Sequence, residues 1–152
     1  MKILVAVVLL VILFGGFILT QSQNRSSQSS QIVSPTPLVQ NEAVDIKASF
    51  TIITNGVTRS FTASMYHNLS PDVYIEASDP SIVHVKRRGI TWNDFFKTLP
   101  IKLTKECLTT GTKETFCTGK NGTLRFYLNE VEEKNLLDRE IKEGDRVRIE
   151  FR

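Results

Sequence analysis

The hydrophobic pattern divides the chain in two places. Every position from Ile3 to Leu19 is apolar or glycine, and none is charged. The next stretch, to about Asp45, is mostly polar, and from Ile46 onward short apolar alternations take over. The first run is at the lower limit for a helix crossing a hydrocarbon core of roughly 30 Å. Lys2 and the terminal amine precede it, and positive charge before an apolar segment keeps that end cytoplasmic and exports the remainder of the chain. Residues 1–20 are therefore predicted to form a transmembrane signal-anchor helix, making the protein single-pass in the cell membrane with its C-terminal domain extracytoplasmic. A cleaved signal peptide is the competing reading. The exit, Phe17-Ile18-Leu19-Thr20-Gln21-Ser22-Gln23, lacks an Ala-x-Ala-like site. No cysteine occurs between the run and Cys107, which excludes a lipid-modified cysteine. Either reading exports the body of the chain.

Residues 21–45 read as a linker rich in Gln and Ser, with Pro35 and Pro37 and no aromatic residue. Such a segment buries too little apolar surface to offset its ordering entropy. As a flexible coil of about 24 residues it spans roughly 25–30 Å.

Residues 46–152 carry the folded domain. Ser49–Thr54 and Val57–Ala63 are rich in β-branched and aromatic residues and flank Asn55-Gly56. A type I′ turn needs positive φ at both central positions, so this pattern predicts a hairpin. Val73–Ala77 and Ile82–Lys86, separated by Asp79-Pro80-Ser81, predict a second one. The one predicted helix opens at Thr91. Trp92, Phe95, Phe96 and Leu99 fall on one face; Thr91 with Asp94 forms a capping-box pattern, and Pro100 stops the helix. So short a helix does not survive alone in water. Its apolar face must pack on a sheet, where four large side chains contribute on the order of 6–12 kcal/mol before entropy is charged. Further on, Ile101–Leu103 predicts a short strand, Thr109–Thr112 and Asn121-Gly122 turns, and Leu136-Leu137 a single helical turn. Leu124, Phe126 and Leu128 share one strand face. Glu143-Gly144-Asp145 reverses the chain into a last strand with Val147, Ile149 and Phe151 inward and Arg146, Arg148 and Glu150 outward.

Charge and reactive residues narrow the function classes. Setting aside Lys2 and Arg25, and Glu42, leaves 17 Lys and Arg against 15 Asp and Glu from Ala43 onward. That near balance argues against a nucleic-acid partner, which calls for a concentrated basic face. Cys107 and Cys117, the only cysteines, read as a structural disulfide in an exported domain, worth about 2–3 kcal/mol in the chain-entropy model. Their spacing is unlike the Cys-x-x-Cys of redox pairs. His67 and His84 are the only histidines, so a copper or zinc site would need both together with carboxylates or a thiol. A nucleophile–base pair would join His84 to Asp94, or to Ser or Thr hydroxyls. There is no nucleophile elbow, phosphate loop or pair of catalytic carboxylates, so no enzyme and no cofactor are predicted. Lys86, Arg87 and Arg88 form a compact basic cluster suited to an anionic ligand such as a lipid headgroup or acidic glycan, although three charges more often mark a solvated turn. Asn24, Asn68 and Asn121 each open an Asn-x-Ser/Thr triplet.

A mixed sheet curled around one short helix buries both the helix face and the alternating strands, an α+β arrangement with an inserted hairpin. It resembles the β-grasp, or ubiquitin-like, fold, in which a Gly-Asp turn like Gly144-Asp145 leads into a central C-terminal strand. The chain is also similar to a group of membrane-anchored proteins from archaea and candidate-phylum bacteria. The similarity runs through Gly89-Ile90-Thr91-Trp92-Asn93-Asp94-Phe95-Phe96, the cysteine pair and the Gly-Asp ending, over roughly Ala48 to Phe151. Some members carry His-x-His pairs. Here Lys47 and Ser49 flank the first strand and His84 is followed by Val85-Lys86, so the resemblance implies a degraded metal site, and no activity comes with it.

The expectation is thus a membrane-tethered extracytoplasmic binding or scaffolding module, using a sheet face or edge to take a protein or glycan partner. The alternative is an exported metal-binding domain using His67 and His84.

Overall fold

The computed structural model describes residues 43–152. The predicted transmembrane helix and all of the linker before Ala43 lie outside the described residues. Among those described, no helix is long and apolar enough to cross a membrane.

Strand β1 covers Ala43–Thr54. It begins inside the stretch assigned to the linker, because Ala43 and Ile46 find partners in Arg87 and Val85 of strand β4, Ile82–Arg87. Asn55 and Gly56 come next with φ of 52° and 77°, the left-handed values an Asn-Gly hairpin turn demands. The return strand β2 is only Val57–Thr58, shorter than the run of strand-forming residues predicts. The same edge of β1 is occupied by β4 from Ser49 back to Ala43. After Arg59 N–H reaches the Ile52 carbonyl at 2.8 Å, the chain leaves the sheet and turns Phe61 into the core, 4.9 Å from Phe50 between ring centres. Strand β3, Val73–Tyr74, pairs antiparallel with β4 and completes the second hairpin in shortened form.

Helix α1, Trp92–Thr98, starts where the sequence places it. Asp94 N–H donates to Thr91 Oγ1 at 3.2 Å, and Thr91 N–H donates to Asp94 Oδ2 at 2.9 Å. The bond from Thr91 N–H, and then the one that Thr91 Oγ1 donates to Asp94 Oδ2 at 2.8 Å, hold the Asp94 carboxyl below its ordinary range against the opposing effect of burial. A depressed folded-state pKa stabilises the protein above the unfolded value and ceases to do so as pH falls through the folded value. Thr91→Ala is accordingly expected to cost about 1 kcal/mol at neutral pH. In urea titrations, the difference from Asp94→Asn should shrink below about pH 4, where the unfolded carboxyl protonates.

After Pro100 come β5 (Lys102–Leu103), β6 (Cys107–Thr109) and β7 (Thr115–Cys117), which form a separate small sheet. Strands β8 (Leu124–Leu128), β9 (Val131–Glu132) and β10 (Arg146–Phe151) return to the main sheet. Its order is β3-β4-β1-β10-β8-β9, with β2 beside β1. The first and last strands lie parallel at the centre, from Ser49 against Arg146 to Thr54 against Phe151, and the other pairs are antiparallel. The described domain is thus mixed α+β with one α-helix.

Alternation puts Phe50 and Ile52, Val83 and Val85, Phe126, Val147 and Ile149 on the buried face. Against them lie Trp92, Phe95 and Phe96, with Phe50 5.1 Å and 5.8 Å from the two phenylalanine rings. Leu136 and Leu137 close one end from the expected single turn, a 3-10 helix. The Gly144-Asp145 reversal has a double basis. Gly144 sits at φ 77°, and buried Asp145 accepts from Lys142 N–H at 3.0 Å and from Asn129 Nδ2 at 3.3 Å. On the outer face Tyr127 is unexpectedly buried, because the Arg148 guanidinium lies 3.9 Å above its ring.

Candidate functional site

Where the two sheets meet, the core is not fully closed. A cavity of about 160 Å³ remains, floored by Ile52, Phe61, Tyr66, Ile101 and Leu108. These come from five places in the chain: β1, the segment leaving β2, the 3-10 turn Ser64–Tyr66, the stretch after Pro100, and β6. Its rim is Arg59 and Ser60 on one side and Thr110, Gly111 and Thr112 on the other.

The second side of the rim is held by local chemistry. Cys107 and Cys117 face each other across β6 and β7 and form the predicted disulfide. Within the turn, Thr110 N–H donates to the Glu114 carbonyl at 2.9 Å and Lys113 N–H to the Thr110 carbonyl at 3.0 Å. Gly111 packs against Tyr66, and a Cβ there would collide with the phenol oxygen. Glycine is what lets the turn approach.

Arg59 is tied down in several directions. Its Nε donates to Thr54 Oγ1, which accounts for a threonine buried among apolar residues. Its guanidinium lies 5.1 Å from the Phe116 ring centre. Nη1 donates to Glu114 Oε2 at 2.8 Å, and Thr112 Oγ1 donates to that same oxygen at 3.2 Å. A carboxylate oxygen is therefore held by two residues of the cavity rim.

A larger and more open groove, about 540 Å³, runs beside α1 over Phe96, Leu103 and Leu137. It is crossed by Lys105, whose Nζ donates to Asn135 Oδ1 at 3.0 Å and Asp138 Oδ2 at 2.9 Å.

The residues singled out from the sequence lie elsewhere. His67 donates Nε2–H to the Phe61 carbonyl at 2.9 Å, steadying the segment that walls the cavity. His84 stacks on Tyr74, with ring centres 5.3 Å apart. Among the described residues, no group of three or more His, Cys, Asp or Glu is placed to hold a metal ion. The Asp94 carboxylate is engaged by Thr91, whose Oγ1 donates to Asp94 Oδ2 at 2.8 Å. In the basic cluster, Lys86 pairs with Asp45 at 2.6 Å and Arg87 with Asp72 at 3.1 Å, while Arg88 is exposed beside them. The Lys86 hydrogen bond lowers the Asp45 pKa, and the same bond raises that of Lys86.

Sequence reasoning missed Arg59, Thr112 and Glu114. Arg59 reads as one polar position in a strand and Glu114 as part of a loop, and nothing local links residues 55 positions apart. The only signal is the run Thr109-Thr110-Gly111-Thr112, in which Thr110 and Thr112 line the rim rather than merely turning the chain. No family model, curated protein or solved structure matches the chain.

Proposed function

We propose that this chain is a membrane-tethered extracytoplasmic binding module without catalytic activity, built on a β-grasp-like domain, and that its ligand enters the cavity between the two sheets. The observation carrying this reading is the cavity itself, an apolar hollow with a neutral hydroxyl rim and one fixed arginine. A concave, partly open apolar site with a few convergent polar groups is a common form of small-ligand pocket. Its volume resembles the roughly 150 Å³ of an engineered apolar cavity that admits benzene, so one leucine- or phenyl-sized group fits.

Three further observations support the reading. The central parallel pair of first and last strands with a helix across it accords with a β-grasp arrangement. The disulfide suits an oxidising compartment outside the cytoplasm. The short edge strands β3 and β9, of two residues each, offer little for strand addition, which favours the cavity over the sheet edges as the point of contact.

The test uses the full chain in lipid nanodiscs with N-acetyl-leucinamide as probe. Methyl resonances of Ile52, Ile101 and Leu108 should shift saturably, with Kd on the order of 1 mM for so small a ligand. Ser60→Trp, which adds bulk at the exposed rim, should abolish the shifts while leaving thermal melting unchanged. Uniform, unsaturable shifts in both proteins would remove the cavity as a ligand site. Deleting residues 1–20 should release the protein from the membrane fraction; continued sedimentation with membranes would remove the tether.

A further inference from the structure

We infer that the cavity recognises a carboxylate-bearing apolar group, and that Glu114 occupies the carboxylate position until such a ligand displaces it. This rests on the binding-module reading and adds the chemical class of the ligand.

The cavity floor accepts the apolar group, and the rim beside it already holds a carboxylate. Glu114 Oε2 lies 2.8 Å from Arg59 Nη1 and 3.2 Å from Thr112 Oγ1, and both residues line the cavity. The two halves of an amphiphilic acid thus have adjacent positions. Arg59 does not depend on Glu114 for its place. Its Nε is held by Thr54 and its guanidinium lies over Phe116, so the donor fork stays preorganised when Glu114 leaves, which lowers the cost of binding. Arginine is suited to this task because its planar fork matches carboxylate geometry.

Glu114 can leave. Its side chain is 53% exposed and closes a surface turn, and exposed ion pairs of this kind are weak. A ligand anchored through its apolar group presents its own carboxylate to Arg59 at high effective concentration. The exchange replaces one carboxylate with another, so Arg59 is never left without a counter-charge at the moment it matters for affinity, and the freed Glu114 is solvated. An amide analogue of the ligand lacks the charge that would drive the exchange. The same chemistry occurs in a peptide C-terminus ending in a branched or aromatic residue and in a free branched-chain carboxylic acid.

The experiment compares three probes on the full chain in nanodiscs, tracked by methyl shifts of Ile52, Ile101 and Leu108. N-acetyl-leucine represents a peptide C-terminus, 4-methylpentanoate a free acid, and N-acetyl-leucinamide the neutral control. At least one acid should bind about tenfold more tightly than the amide, given the greater strength of charge-assisted hydrogen bonds. Tight binding of N-acetyl-leucine alone supports a peptide terminus; comparable binding of both acids supports a free acid. Glu114→Gln should tighten acid binding about threefold, the scale of an exposed ion pair removed, and leave amide binding unchanged. Arg59→Gln should erase the difference between acid and amide. Equal affinities for acids and amide on the unaltered protein would overturn the inference while leaving the cavity reading intact, and binding of none of the three would end both. Weaker acid binding in Glu114→Gln would also overturn it, since Glu114 would then be part of the site's framework rather than the ligand's competitor.

Discussion

Phe95→Ala is expected to lower the stability of the domain by about 3–5 kcal/mol, the range for an aromatic ring removed from a packed core. Phe95 has no exposed surface, and its ring lies 5.1 Å from Phe50, 5.0 Å from Phe96 and 6.2 Å from Trp92. A short helix on one side and a sheet on the other give the site little room to collapse, which keeps the cost at the upper end. Since domains of this size are stable by roughly 5–15 kcal/mol, the variant should sit near the threshold of folding. Urea titration should show a lower midpoint with an unchanged slope. Trp92→Phe makes a useful contrast. The Trp92 Nε1 is buried with no hydrogen-bond partner among the described residues, and an unsatisfied buried donor costs about 1–3 kcal/mol. Removing it offsets part of the lost volume, so this variant should be much the milder of the two. A Phe95→Ala cost below about 1 kcal/mol would mean that the aromatic face is not the core.

The second large effect belongs to the disulfide. Replacing Cys107 and Cys117 together by alanine should cost about 2–3 kcal/mol, as a bridge closing a short loop removes that much denatured-chain entropy. Cys117 is exposed and Cys107 half-buried, so the change leaves no core cavity and the loss comes mainly from the unfolded chain. Reductant should lower the midpoint of the natural protein by the same amount and leave the double variant untouched; an identical response in the two would exclude a bridge. The effect also reaches the candidate site. The bridged strands carry the turn from Thr110 to Glu114, and a looser turn holds the rim less firmly against Tyr66.

Local signals in the chain carried much of the architecture. Thr91 and Asp94 announce the helix start because the capping box lies within four consecutive residues. Asn55-Gly56 announces a turn because its backbone requirement is local. The inward faces of β8 and β10 derive from alternation. The disulfide derives from count and compartment, and its partners indeed oppose each other in register. The expectations that failed did so where a distant part of the chain intervened. Strand β2 stops at Thr58 because β4, brought in from beyond residue 80, occupies the rest of that edge. Ala43–Asp45 joins β1 because β4 supplies its partners and Lys86 its counter-charge. Tyr127 is covered because Arg148 arrives beside it from the neighbouring strand.

The candidate site was the least legible part. Histidines and clustered cations are conspicuous in a sequence, but their chemistry alone does not place them beside a cavity. The cavity depends instead on common residues, Ile52, Leu108, Thr112 and others, converging from separated segments. By itself the sequence determined the caps, the turns, the alternating faces and the change in composition from an apolar run through a polar stretch to short apolar alternations. All of these rest on interactions within a few residues or on composition. Only the tertiary structure decided that the first and last strands lie parallel at the centre, that the core stays open where the sheets meet, and that Arg59 holds Glu114 there. Pairing and cavity shape are set by contacts between positions far apart in the chain, where a one-dimensional pattern carries no distance.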